Sequence, residues 1–249
     1  MFEIEIDSGI ATINMKHGKV NAMSLEFLQL LNGHLRSLAD ADEVKQVVVA
    51  GNERVFSAGV DLKRLVAEQN EYLDLFLPEL TGMFLEVFCF PKPLVAAVTG
   101  HAVAGGCVLA CAADYRVISE QARIGVPELR VGVPFPSSGM EIMRWAANAQ
   151  AFRQIINTGA TFTGAQAVQA GLADESALPD RVIEVAREST KPFSVVPPKV
   201  FQLTKRQMRQ PIVDRITRSQ ELFGDDIDQL WRDQATRDAV AAYVAERLG

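Results

Sequence analysis

Three stretches of the chain set residues capable of chemistry beside glycines. Residues 55–62 read VFSAGVDL, residues 99–110 read TGHAVAGGCVLA, and residues 124–136 read IGVPELRVGVPFP. In the first two, small residues let the backbone approach a ligand closely and aim its N–H groups at it. A helix beginning near Gly105 adds the positive end of its dipole, which favours an anion. The third stretch holds Glu128 after Pro127 in mostly apolar surroundings, where burial raises a carboxyl pKa and suits it to carry protons. The same residues admit other readings. Ser57, His101 and Asp61 have the types of a nucleophile triad, but no GxSxG elbow surrounds Ser57. Neither glycine stretch has the GxxxxGK[ST] or GxGxxG spacing that cradles a nucleotide phosphate. The glycines also read as plain tight turns, and Glu128 as a helix cap or a partner of Arg130.

These stretches need a frame to hold them. Phe2–Ile6 and Ile10–Met15 alternate at period two around Asp7-Ser8-Gly9, which predicts a hairpin. Ser24 is placed to cap a helix whose Leu25, Leu28, Leu31, Leu35 and Leu38 recur at helical spacing. Gln46–Ala50 and Leu94–Val98 are short apolar runs of the kind that form strands covered on both faces. Asp61–Phe90 reads as helical with an interruption near Pro78. Tyr115–Ser119 and Arg123–Val126 read as further strands, and from Ser137 onward the chain reads as almost all helix. Within that part, Thr163-Gly164 to Gly171 predicts a short helix with a glycine stop, Pro197-Pro198 precedes another helix, and Asp233–Leu248 forms the last one. The glycine stretches thus fall at strand-to-helix junctions, beyond the carboxyl ends of strands, where open α/β sheets bind ligands.

Composition bounds the possibilities. In 249 residues, 48% hydrophobic and 22% charged, there is enough apolar material for a large core. A formal charge of −6 argues against a nucleic-acid partner, which calls for net positive charge. Residues 93–113 contain no Lys, Arg, Asp or Glu and are long enough to span a membrane. Their glycines, proline and small side chains favour a strand–loop–helix instead, so no membrane partner is expected. Cys89, Cys107 and Cys111 make no disulfide framework and suit a reducing compartment. Cys107 and Cys111 share one helical face in apolar surroundings, so packing rather than a metal site is expected. MFEIEIDSGIATINM lacks a basic segment followed by an apolar one, and a cytoplasmic protein is expected.

Taken together, the motifs resemble the crotonase, or enoyl-CoA hydratase/isomerase, superfamily. VFSAGVDLKRL is similar to its first oxyanion-hole segment and TGHAVAGGCVLACAADYRV to its second. KVNAMSLEFL (residues 19–28) is similar to its N-terminal CoA-binding junction, and TFTGAQAVQAGLADE (161–175) and QLTKRQMR (202–209) to later segments. The resemblance implies an α/β fold, a spiral of ββα units over residues 1–190, followed by a helical trimerisation region over residues 191–249. It implies a homotrimer or hexamer and an acyl-CoA substrate from fatty acid β-oxidation, with no separate cofactor because CoA is part of the substrate. By the same resemblance, the N–H groups of Ala58 and Gly105 surround the thioester oxygen, and Val20, Asp61 and Leu62 contact adenine and pantetheine. The two glutamates of the family's hydratases fall at Val108 and at Glu128. One carboxylate is missing and one kept, a pattern most like the mitochondrial-type Δ3,Δ2-enoyl-CoA isomerases. The expectation is an isomerase with Glu128 as acid and base. Hydration of a 2-enoyl-CoA, another reaction on the same scaffold, and an acyl-CoA-binding protein with little catalysis are the alternatives.

Overall fold

The computed structural model describes residues 1–68 and 70–247. The chain opens with β1 (Phe2–Asp7) and β2 (Ile10–Met15), then α1 (Leu25–Asp40), β3 (Gln46–Ala50), β4 (Val55–Ser57), α2 (Leu62–Ala67) and α3 (Asn70–Phe88). It continues through β5 (Leu94–Val98), β6 (His101–Val103), α4 (Gly105–Cys111), β7 (Tyr115–Ser119), β8 (Arg123–Gly125) and α5 (Glu128–Val131). After α6 (Ser137–Ala146) and α7 (Ala149–Thr158) come β9 (Thr161–Thr163), α8 (Gly164–Gln169), β10 (Glu175–Ala177), α9 (Val182–Glu188) and α10 (Lys191–Ser194). Two long helices end it, α11 (Pro198–Arg232) and α12 (Gln234–Arg247).

The strands form two sheets, β1-β2-β3-β5-β7-β10 and β4-β6-β8-β9. Each unit β3–β4, β5–β6 and β7–β8 gives its first strand to the large sheet and its second to the small one. A helix then returns the chain to begin the next unit. Successive units pair in parallel in both sheets, which makes a spiral. The large sheet is covered on both faces. Val47 and Val49 point into the main core, while Val48 and Ala50 pack with Val95, Ala97 and Val117 against Val182 and Ala186 of α9. Burial on both faces is why β3 and β5 read as unbroken apolar runs. The hairpin turns at Ser8 and Gly9 with φ of 54° and 80°, the paired left-handed conformation that suits a two-residue turn. The Ser24 Oγ caps α1 by accepting from the Phe27 N–H at 3.3 Å. The uncharged run 93–113 divides into β5, β6 and α4, and among the described residues no helix is long and apolar enough to cross a membrane.

Three sequence expectations are corrected. Pro78 lies inside α3 without ending it. The lost hydrogen bond and ring clash cost about 3 kcal/mol, but α3 buries Phe76, Leu80, Met83, Phe84, Val87 and Phe88 against the core, which outweighs that cost. The region after Ser137 contains β9 and β10, each held by pairing to a strand distant in sequence, β8 and β7 respectively. Three-residue strands carry too short a pattern to be read locally. The last helix begins at Gln234, with Asp233 capping it, and Leu248 lies outside the described residues.

α11 is latched to the core by a buried ion cluster. The Asp114 carboxylate accepts from Lys205 Nζ at 2.7 Å, from Arg209 at 2.7 Å and from the Leu94 N–H at 2.9 Å. Arg209 also donates to the carbonyls of Phe88, Ala112 and Ala113, satisfying groups at the ends of α3 and α4. Burial pulls the Lys205 amine down to about 8 although Asp114 opposes the shift. Two buried cations thus share one anion. Asp114→Asn is expected to lower unfolding stability by about 3–5 kcal/mol, because it strands both cations. Urea denaturation checks this, and a loss under 1 kcal/mol would contradict the latch.

Candidate active site

The loops after β4 and β6 emerge side by side because those strands are parallel neighbours. Asn21, buried with φ of 48°, ties the preceding 17–21 turn to β4. Its side chain accepts from the His17 N–H at 2.8 Å and donates to the Phe56 carbonyl at 3.0 Å. Ser57 Oγ donates to the Asn21 carbonyl at 2.8 Å and accepts from the Gly59 N–H at 3.1 Å. Ser57 is therefore a structural hydroxyl. His101 is exposed, and its Nδ1 accepts from the Arg123 N–H at 3.0 Å, so no triad forms. Gly59 has φ of 81°, and a Cβ there would stand 2.7 Å from the Ala104 Cβ and 2.8 Å from the Gly105 nitrogen. A Cβ on Gly106 would stand 2.2 Å from the Ser57 carbonyl oxygen. Both glycines are needed for the two loops to touch.

A cavity of about 520 Å³ opens beside this contact. All seven residues expected at the site line it: Val20, Ala58, Asp61, Leu62, Gly105, Val108 and Glu128. They do not all have free groups to offer. The Ala58 N–H is already donated to the Val20 carbonyl at 3.0 Å, so the Ala58 amide is not available to a ligand. Two residues on, the Val60 N–H has no acceptor among the described residues, and neither has the Gly105 N–H at the start of α4. Val60 and Gly105 both line the cavity. The donor expected at Ala58 is thus moved to Val60. Residue types could not reveal this, because it depends on which amide of the loop closes a bond across to Val20. The Asp61 carboxylate accepts from the Arg64 N–H at 3.1 Å and caps α2.

Glu128 begins α5 and is 8% exposed. Burial raises its carboxyl to about 8, only partly offset by a hydrogen bond from its own backbone. Its Oε2 has no hydrogen-bond partner. Arg130 donates instead to the Thr158 carbonyl at 2.6 Å, which removes the ion-pair reading. Val108 is 2% exposed and presents an apolar surface to the same cavity. Lys19 and Lys63 are exposed at its margin, two cations the sequence reading missed. Leu80 and Phe84 of α3, Trp231 of α11 and Tyr243 of α12 complete the walls. Trp231 and Tyr243 follow Glu128 by about a hundred residues, and no local pattern announces them.

The fold is a ββα spiral, and two unbonded N–H groups and a buried carboxylate line one cavity at its strand-to-helix junctions. The enoyl-CoA hydratase/isomerase family model matches residues 5–248, and the chain belongs to that family. It is 30% identical over 245 residues to a protein of Rhizobium meliloti named a probable enoyl-CoA hydratase, covering 96% of this chain and 92% of the relative. It is 27% identical over 224 residues to the mitochondrial enoyl-CoA delta isomerase 1 of Rattus norvegicus, covering 89% of this chain and 78% of the relative. The crystal structure of human mitochondrial delta3-delta2-enoyl-CoA isomerase superposes with a TM-score of 0.93 at 25% identity, covering 99% of this chain and 97% of that one.

The raised carboxyl has a consequence for stability. Below about pH 4.5 the Glu128 side chain is protonated in both folded and unfolded states. Between there and about 8 the unfolded chain ionises while the fold keeps its proton, so this group's contribution falls as pH rises and levels off above 8. Glu128→Gln is expected to be more stable than the parent, by a margin that grows up to about 1.4 kcal/mol per pH unit across that window. Denaturant titrations at pH 5 and pH 8 measure it, and equal margins at both would mean that the carboxyl is not buried as described.

Proposed function

We propose that the protein is an acyl-CoA isomerase that moves a double bond from C3 to C2 of an enoyl-CoA. The observation that carries this reading is Glu128, the one carboxylate among the described lining residues with an unpaired buried oxygen, facing a cavity in which Val108 occupies the place of a second one. The Glu128 carboxylate takes a proton from C2, and the electron pair moves into the thioester as an enolate. The N–H groups of Val60 and Gly105 donate to that oxygen, each worth roughly 3–4 kcal/mol by analogy with a measured oxyanion donor. Glu128, now carrying the proton, returns it to C4 on the same face of the chain, and the double bond re-forms between C2 and C3. A base whose pKa lies near the working pH contributes on the order of 10²–10⁴-fold.

Apolar walls serve this chemistry. Val108 cannot hold or activate a water, and a dry site keeps the carboxylate basic. Lys19 and Lys63 stand at the exposed margin, where their charges suit the phosphates of CoA. Hydration is the second reading, favoured by the name of the Rhizobium meliloti relative. The C-terminal region, residues 191–249, is proposed to assemble a trimer or hexamer. Exposed Val195 just after α10, and Val200, Leu203, Met208, Leu222 and Phe223 along α11, support this.

Glu128→Gln is expected to abolish conjugation of a 3-enoyl-CoA while changing acyl-CoA affinity only a few-fold. Ultraviolet detection of the conjugated thioester reads the first and calorimetry the second; turnover unchanged in the variant would refute the assignment. In the parent, kcat/KM is expected to drop about tenfold per pH unit below about 8, because the base must be ionised. Hydration of a 2-enoyl-CoA is expected to be slow in the parent and faster in Val108→Glu. Rapid hydration by the parent would favour the second reading.

A further inference from the structure

A residue from the end of α11 lines the cavity. Trp231 is 5% exposed and packs with Leu73, Val131, Val133 and Val240, so it leans on the segment that follows Glu128. It lines the main cavity and also a second cavity of about 260 Å³, bounded by residues such as Leu65 of α2 and Ala241 of α12. Among the described residues it is the one member common to both linings. Its indole N–H finds no acceptor. The side chain therefore contributes bulk at this point and not a hydrogen bond.

We propose that Trp231 is a specificity-determining wall that closes the acyl compartment against the second cavity and so sets the longest straight acyl chain the site accepts. The inference rests on the acyl-CoA reading above and adds to it a substrate class: chains that end at the indole face. Lys19 and Lys63 sit exposed at the margin and Glu128 is the buried carboxylate of the lining, while Leu80, Phe84, Val131, Val133 and Trp231 form apolar wall. A hydrocarbon tail gains affinity only along that wall, about fourfold for each methylene removed from water. The gain stops where the wall closes. With the indole removed, the tail continues into the space between α2 and α12.

The test is calorimetric binding of saturated straight-chain acyl-CoAs of increasing length, which requires no turnover. In the parent, affinity is expected to climb with each added methylene to a limit and then fall. Trp231→Phe, which puts a smaller aromatic ring without the N–H in place of the indole, moves the limit by no more than about one carbon. Trp231→Ala moves it to chains longer by about two carbons or more, with short-chain affinity within about threefold of the parent. Trp231→Leu gives a smaller shift in the same direction and decides the question if the alanine variant does not fold. Adding Ala241→Trp to Trp231→Ala refills the second cavity and brings the limit back. An unchanged limit in Trp231→Ala or Trp231→Leu, with short-chain affinity intact, overturns the wall while leaving the acyl-CoA reading standing. No binding at any length by the parent overturns both.

Discussion

The contact between the loop after β4 and the loop after β6 governs the rest of the site. Gly59 meets Ala104 and Gly105, and Gly106 meets the Ser57 carbonyl, at distances where no Cβ fits. Two parallel strands end there side by side, so Val60 and Gly105 line one cavity. The contact has a conformational cost. Ala104 sits at φ 53° and ψ −132°, a region an L-residue avoids, worth on the order of 1–3 kcal/mol. The strain is held by surrounding bonds. The Ala104 N–H donates to the Gly125 carbonyl at 2.9 Å, and the Ala104 carbonyl accepts from the Cys107 and Val108 amides at 2.9 and 3.2 Å.

Glu128 depends on the same stacking of turns. The next unit of the spiral, β7–β8, delivers it after Pro127 to a wall already lined by Val108. Burial there raises the carboxyl and leaves one oxygen unpaired, which is unfavourable for the fold and useful to a proton carrier. A group placed only for stability would have gained a partner, and Arg130 is near enough in sequence to have been one. Its guanidinium instead binds the Thr158 carbonyl.

α11 joins the two ends of the molecule's economy of contacts. Near its start, Lys205 and Arg209 bind Asp114 and cover the carbonyl ends of α3 and α4. At its far end, Trp231 stands between two cavities. α3 supplies Leu80 and Phe84 to the cavity, and α4 supplies Gly105 and Val108. The latch therefore holds α3 and α4, which carry cavity walls, and α11, which carries Trp231, as one packed unit.

Much of this was legible from residue types. The hairpin, the Ser24 cap, the buried strands and the Gly164–Gly171 helix follow from local periodicity and turn chemistry, which act over a few residues. Glu128 and the helix start near Gly105 stood out because their surroundings, apolar run or glycine pair, are contiguous in the chain, whereas Val108 was placed by the resemblance of the whole set of motifs to the family. Pro78 was misread because helix propensity is local while the packing that overrides it is not. β9 and β10 were missed for the same reason, since each is defined by a partner strand far away. The Ala58 assignment failed because every residue carries the same N–H, and only the fold determines which one is spent on Val20 and which is left free at Val60. Trp231 could not be foreseen at all: its role lies in the space on either side of it, and a cavity exists only once distant segments have packed.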